Sequence, residues 1–236
     1  MTLKVSLLPL LVLLTACGQP LAPPSPPSPA PAPGPAAGPD AWRGPAAAGD
    51  AIYTVDADAS LLAVTVRRAG LMARLGHDHV VASHTLAGQA APGLGRADVS
   101  FRVDQLTVDE PQLLREAGID TRPSPEAVEG TRHNMLGPVL EAQRYPVVTL
   151  HAERSVDRNG PLRVAITLHG VTRWLELPAA VQVDAHQVTA QGTARLKQTD
   201  FGITPFTVGG GLLAVDDELE VRYRIVARPR QPPGAG

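Results

Sequence analysis

The side chains best suited to chemistry are two histidines that flank an aspartate, His77-Asp78-His79. On a β-strand both histidines would point to one face and could supply two ligands of a metal site. His133 could add a third ligand, and a zinc ion with an open position could then activate water. A hydrogen-bonded polar turn that meets the polar group of a ligand is the alternative. We favour that turn, because two assured histidines are one short of a typical catalytic zinc site.

Other catalytic patterns are weaker. Ser83-His84 lacks the residues of a nucleophile elbow, and the sequence assigns it no acid partner. Gly209-Gly210-Gly211 opens no predicted helix, so it favours a hairpin rather than a phosphate-binding loop. We therefore expect a protein that is not an enzyme, with no metal and no cofactor.

The only cysteine, Cys17, has its own chemistry, because a thiol can be acylated. It follows Lys4 and an apolar core of about ten residues, a length that suits a secretory signal and is too short to span a bilayer. The run Leu14-Thr15-Ala16-Cys17 resembles the lipobox of bacterial lipoproteins. That resemblance implies a signal peptide at residues 1–16, acylation of Cys17, and an extracytoplasmic protein anchored at a membrane, in the periplasm or at the outer membrane if the host has one.

Composition then divides the mature chain. Residues 17–50 hold 11 of the 24 prolines, which is typical of an extended, disordered linker. Residues 51–228 are enough for one domain with a sizeable core, and residues 229–236 read as a disordered tail. Without Lys4, 20 basic and 23 acidic residues give a formal charge of −3 and no basic patch, so nucleic-acid binding is not expected.

Alternating apolar and polar residues make the domain mainly all-β. The runs lie at residues 62–67, 99–103, 147–152, 162–169, 174–183, 187–196 and 219–225. Turn signals separate them at residues 157–160, at His169-Gly170 and at Val215-Asp216-Asp217. Many short antiparallel strands predict a barrel or a sandwich.

A helical region interrupts the strands. Ser124-Pro125-Glu126 is typical of a helix N-terminus, and apolar residues then follow a helical spacing. Gly137-Pro138 predicts a break or a kink, and therefore two short helices rather than one. A further short helix is predicted from Glu110 to Ala117.

Several motifs resemble the YceI-like family in their order along the chain. They are Tyr53-Thr54-Val55-Asp56, Tyr145-Pro146-Val147-Val148, residues 168–173 and residues 198–203. The stretch around His77 and His79 departs from the usual family pattern, so the chain resembles a divergent member. The resemblance implies a lipocalin-like antiparallel β-barrel with a short helical insertion and an apolar lumen that holds a polyisoprenoid.

We expect this lumen to sequester or carry a hydrophobic small molecule, an isoprenoid or quinone-like lipid. Burying ten CH₂ groups would contribute about 8 kcal/mol before ordering costs. The alternation by itself also fits a solid core. The predicted lining residues are Val64, Val66, Phe101, Val103, Leu150, Ile166, Leu168, Val221 and Tyr223.

The predicted head-group contacts are His77, His79 and Arg173. The predicted partners are the lipid and the membrane reached through acylated Cys17, and a homodimer is left open. Two alternatives remain: a metal-dependent enzyme centred on His77 and His79, and an envelope stress protein whose barrel is only structural.

Overall fold

The computed structural model describes residues 51–154 and 160–229. The predicted signal peptide, Cys17 and the linker lie outside these residues, as do most of the turn predicted at 157–160 and residues 230–236 of the predicted tail. Within the described part of the chain, no helix is both long enough and apolar enough to cross a membrane.

The described residues form a 13-stranded antiparallel sheet with short helices. The mainly-β fold class is therefore confirmed. The strands are β1 Tyr53–Val55, β2 Leu61–Ala69, β3 His79–Ser83, β4 Ala87–Ala91, β5 Arg96–Arg102, β6 Thr107–Val108, β7 Val147–Arg154, β8 Leu162–Leu168, β9 Val171–Leu177, β10 Ala180–Val183, β11 Val188–Lys197, β12 Thr207–Val208 and β13 Leu213–Pro229. The helices are α1 Pro111–Glu116 and α2 Pro125–Asn134.

The strand β13 organises the sheet, because it pairs with β11, β2, β1 and β12. Its first residues meet the end of β2, where Ala214 pairs with Ala69. Its last residues meet the start of β1, where Pro229 pairs with Tyr53, one residue past the predicted domain end. We call the first of these the rim end of the sheet and the second the terminal end.

The turn predicted at Val215-Asp216-Asp217 is wrong, because β13 runs through these residues with a bulge between Val215 and Leu219. The bulge turns the acidic pair toward the residues after β11. Asp217 accepts hydrogen bonds from the backbone N–H and the hydroxyl of Thr199, and Gln198 donates to the Asp216 carbonyl. A β-bulge adds unpaired residues to one strand without ending it, so residues that are typical of a turn can lie within a strand.

Two other turns agree with the sequence. His169 and Gly170 both have positive φ and join β8 to β9, and such left-handed residues match the twist of a two-residue hairpin. The glycines 209–211 also have positive φ and join β12 to β13 in a hairpin.

The helices form close to their predicted positions. Ser124 accepts a hydrogen bond from the Ala127 N–H and caps α2, and α1 begins at Pro111. At the predicted break or kink the helix changes type: α2 ends at Asn134, and a π-helical turn, Met135–Val139, follows directly and contains Pro138. The wider turn accommodates a proline that a regular α-helix would exclude.

The core has two layers, one on each face of β2 and β3. Val81 points into the barrel, whereas Val80 and Ala82 point outward and pack against Leu113 and Leu114 of α1. Each buried leucine of this kind contributes about 1.5–3 kcal/mol. The outer layer therefore fixes the strand that carries His79.

The sheet curves into a barrel, but among the described residues no ladder joins β9 to β11. Residues 175–178 and 193–195 line a cleft of about 280 Å³ between these strands. Pro178 has no N–H to donate, and its carbonyl accepts the Tyr223 hydroxyl at 2.7 Å. A Cβ at Gly192 would lie 2.3 Å from the same oxygen, so the strands approach here without forming ladder hydrogen bonds.

Candidate functional site

The interior of the barrel holds a cavity of about 550 Å³, within the range of about 300–1,000 Å³ that is typical of small-molecule sites. Every predicted lining residue borders it. They come from β2, β5 and the turn after it, β7, β8 and β13: Val64, Val66, Phe101, Val103, Leu150, Ile166, Leu168, Val221 and Tyr223.

The wall is aliphatic because inward positions of neighbouring strands pair with one another. Val64 pairs with Val221, and Leu150 pairs with Ile166. Such cross-strand pairs place branched side chains on one face of the sheet. Tyr223 adds an aromatic ring, and its hydroxyl is already bound to Pro178. Burial raises the pKa of the Tyr223 hydroxyl, so the wall stays uncharged at this point.

The helix α2 and the π-helical turn after it cover part of the cavity. Thr131, Asn134 and Met135 border the cavity from this segment. The Arg132 guanidinium donates to the carbonyls of Leu106 and Asp104, which ties α2 to the segment around β6. The cavity is therefore capped by helical residues rather than by a further strand.

His79 is the best-positioned polar side chain of the cavity. It pairs with the inward-facing Val66, and its Nδ1 lies 2.7 Å from the Asp109 carboxylate. The Asp109 side chain has no exposed surface and also accepts the Val80 N–H at 2.9 Å. Asp109 has φ of 56°, a left-handed conformation that favours Asp and Asn among non-glycine residues. This arrangement orients the His79 ring and leaves its other nitrogen for a ligand.

Arg68 and His77 border the cavity beside His79 at the rim end. Asp78 does not face the cavity but accepts hydrogen bonds from the Arg68 N–H and the Arg67 guanidinium. Burial alone would raise the pKa of the Asp78 carboxyl, but these hydrogen bonds and the two arginine charges outweigh burial and lower it. Asp78 therefore stays ionised and fixes the loop that carries His77.

Comparison with known families decides the assignment. The model of the YceI-like domain matches residues 53–227.

The chain belongs to the YceI-like family.

Solved structures agree on the fold. A polyisoprenoid-binding domain from Saccharophagus degradans, implicated in plant cell wall breakdown, has a TM-score of 0.55 at 14% identity, covering 77% of this chain and 100% of its own. BcnA from Burkholderia cenocepacia has a TM-score of 0.50 at 15% identity, covering 73% of this chain and 99% of its own. A search of curated proteins found no match.

Within this YceI-like domain, the alternative three-histidine metal site is wrong. Among residues 51–154 and 160–229, no group of three or more potential metal-ligating side chains comes together. His77 lies in the loop before β3 rather than on the strand, so it does not share a strand face with His79. His133 lies exposed on α2, and His79 Nδ1 already bonds to Asp109.

Arg173 is not brought to the cavity, contrary to its predicted head-group contact. It lies exposed on β9, where its guanidinium reaches only the Thr172 carbonyl. Because β9 has no ladder to β11, the start of this strand forms an open margin of the sheet.

Ser83 and His84 also do not form a dyad, since the Ser83 hydroxyl is buried without a hydrogen-bond partner in the described residues and His84 bonds to Glu110.

Sequence reasoning missed the polar groups at the terminal end of the cavity. Gln89, Arg96 and Arg154 border it there. Arg154 continues the inward register of Leu150 and Ala152 along β7. The alternation along this strand therefore predicts that Arg154 also faces the cavity. The YceI-like cavity thus has an aliphatic middle and a polar group of residues at each end.

Proposed function

We propose that this YceI-like protein binds a hydrophobic small molecule, an isoprenoid or quinone-like lipid, in the barrel cavity and sequesters or carries it outside the cytoplasm. The observation that carries the proposal is the aliphatic cavity of about 550 Å³. An apolar ligand removes this wall from water without leaving a buried polar group unpaired. The similar domain from Saccharophagus degradans is described as binding a polyisoprenoid, which supports the same ligand class here.

The proposal includes no bond chemistry. His79 is held by Asp109, and the cavity that it borders is lined mainly by aliphatic side chains. Because Nδ1–H donates to Asp109, Nε2 of the neutral ring would accept a hydrogen bond from a ligand hydroxyl, and the protonated ring would donate one to a carbonyl or phosphate oxygen. His77 and Arg68 would contact the same polar group from the neighbouring strand and loop.

Native mass spectrometry of the purified protein, with solvent extraction and lipid analysis, tests the ligand. We expect a bound lipid in the wild type at close to one per chain, and none in Ile166→Asp, because Ile166 is a buried wall residue. Exposed Leu94→Asp, which does not border the cavity, is the matched control and should retain the lipid. A wild-type protein that never retains lipid, even when incubated with an isoprenoid quinone, would contradict the proposal.

We further propose that acylated Cys17 anchors the protein to a membrane. The support is the resemblance of residues 14–17 to a lipobox and the proline-rich linker that follows. Membrane fractionation and intact mass test this anchor in the natural host. We expect the intact mass of the wild-type chain to include acyl groups. Cys17→Ser should carry no acyl mass and should leave the membrane fraction, because serine lacks the thiol that is acylated. A mature wild-type chain without acyl mass would refute the anchor and leave ligand binding untouched.

A further inference from the structure

Two neighbouring loops at the rim end expose an unusual set of large apolar side chains. We define the apolar rim as Leu71, Met72 and Leu75 from the loop after β2, with Val208 and Leu212 from the β12–β13 hairpin. Leu71 is 91% exposed and Leu75 is 68% exposed. The other members are each more than 40% exposed. Single exposed leucines are ordinary, but a cluster of this kind marks an interaction site.

The two loops are fixed to each other, so the rim is one surface. The Met72 N–H donates to the Leu212 carbonyl at 2.8 Å. Gly70 has φ of 90°, and a Cβ there would lie 2.6 Å from the Leu212 oxygen. Only glycine permits this close approach, which holds the apolar tips side by side.

The apolar rim is continuous with the cavity. Leu75 and Val208 border the cavity and are also exposed at the surface. Leu213 and Val215, which follow Leu212 on β13, continue the apolar path inward. A ligand that leaves the cavity through the rim end therefore passes these side chains first.

Charge around the rim favours an anionic, apolar surface as its partner. Residues 207–215 carry no charged side chain. Residues 67–79 carry three arginines and one aspartate, a formal charge of +2 with histidine neutral. Three acids follow the hairpin and are each engaged: Asp217 accepts from Thr199, Glu218 pairs with Arg195, and Asp216 accepts the Glu218 N–H. Arg67 and Arg68 pair with Asp78, so Arg74 is the arginine left for an anionic partner. Apolar tips with arginines behind them match a bilayer with anionic head groups.

The remaining chain is placed to permit this contact. The described residues begin at Ala51, beside β1, which starts at the terminal end opposite the rim. Some 30 residues precede it after Cys17 and could reach roughly 90 Å if extended. The 17-residue β13 spans about 56 Å at about 3.3 Å per residue. A tether attached at the terminal end is therefore long enough for the rim to turn toward the membrane.

We propose that the apolar rim docks into a lipid bilayer, so that the rim end of the cavity opens into the acyl region and a hydrophobic ligand crosses without entering water. Docking rests on the rim alone and needs neither a particular ligand nor the Cys17 anchor.

Vesicle flotation tests the docking with residues 18–236, which keep all the described core and lack the acylated cysteine. The probes are vesicles of phosphatidylcholine and vesicles of an equimolar mixture with phosphatidylglycerol. We expect the wild type to float with both, and more with the anionic vesicles. Leu71→Ser with Leu75→Ser should lower the bound fraction about tenfold, because both side chains lose their burial in the bilayer.

The matched control is Leu94→Ser, which changes a 42% exposed leucine in the turn at the terminal end. It should float like the wild type. Leu71→Ser alone removes a side chain that is 91% exposed, so folding is not at risk, and it should still reduce flotation severalfold. Arg74→Gln should weaken binding to the anionic vesicles and leave the phosphatidylcholine result unchanged.

Three results would overturn the docking: no flotation of the wild type, equal loss in Leu94→Ser, or a wild-type dimer that Leu71→Ser dissociates without changing flotation. The last result would make the rim a contact between two copies of the chain. A protein that floats through its rim yet never holds a lipid would refute the proposed function and leave the docking intact.

Discussion

The two ends of the cavity are built by the same strands but differ in character. At the rim end, apolar loop tips project outward, and Arg68, His77 and His79 lie behind them. At the terminal end, Gln89 and Arg96 border the cavity, and the first and last described residues of the chain lie beside it. The alternation along the strands produces one aliphatic wall throughout. Strand residues supply polar side chains at both ends, and the ends differ because, among the described residues, only the rim end adds a cluster of exposed apolar loop residues.

This difference separates two roles. At the terminal end lies the start of the described chain, with Ala51 next to β1. The rim end is free of the chain termini and places an oriented histidine next to an exposed apolar surface. The two proposals above accordingly place both the ligand's polar group and its exit at the rim end.

The two ends belong to one continuous lumen, and Val103→Asp is the variant that should disrupt this lumen most. Val103 is 1% exposed and borders the cavity from the turn after β5, so the variant buries an unpaired carboxylate. We expect a loss of about 3–5 kcal/mol in the free energy of unfolding, with loss of lipid binding. Urea denaturation measures the change. Leu168→Asp, at the partly exposed end of β8, should stay folded and still lose lipid, and two unchanged variants would mean that the lumen is not the site.

Asp109→Ala tests whether the rim end is held by its buried carboxylate. The Val80 N–H would lose its partner and alanine would have to adopt a positive φ. We expect a loss of about 2–3 kcal/mol in stability, measured by denaturant unfolding. Asp109→Asn keeps an acceptor and tolerates the left-handed backbone, so it should lose less than half of that. Equal losses would show that the carboxylate charge, rather than the geometry, stabilises β3.

His77→Ala combined with His79→Ala sharpens the assignment of the polar group to one end. We expect lipid affinity to fall about three- to tenfold and binding to persist, because the aliphatic wall supplies most of the free energy. Gln89→Ala at the terminal end is the counterpart and should have little effect. Titration with an isoprenoid quinone measures both, and a larger loss in Gln89→Ala would assign the head group to the opposite end.

The smallest expected effect concerns the helical cap. A Cβ added at Gly130 in α2 meets no atom within 4 Å, so Gly130→Ala should stabilise the protein by about 0.5–1 kcal/mol. Gly192→Ala on β11 is the contrasting variant, because its Cβ would lie 2.3 Å from the Pro178 oxygen, and it should destabilise. Thermal melting of both variants checks the pair, and a destabilised Gly130→Ala would mean that α2 packs more closely than described.

Much of the wall was predictable from the sequence because a strand alternates its side chains strictly. Leu150, Ile166 and Val221 all lie where a period of two places them. The N-cap at Ser124 and the hairpin at His169-Gly170 were also predictable, since each depends only on neighbouring residues. Local rules therefore describe the strands and their turns.

Features that depend on distant partners were not predictable. Asp109 holds His79 from 30 positions away, and no local spacing connects them. The acids after Val215 read as a turn because their partner, Thr199, lies on another segment. The close approach of the Pro178 carbonyl to Gly192 also depends on two segments that meet only in the fold. The loops of the apolar rim have no periodicity at all.

The central position of β13 has a consequence for how the domain acquires its fold. The first strand, β1, pairs with the last residues of the domain, as in Tyr53 with Pro229. The strands β2 and β11 also pair with β13. During synthesis from the N-terminus, β4, β5, β7, β8 and β9 can pair earlier, but β2 and β11 are joined to the rest of the sheet only when β13 has emerged. Such late long-range pairing carries a large loop-closure entropy and slows folding.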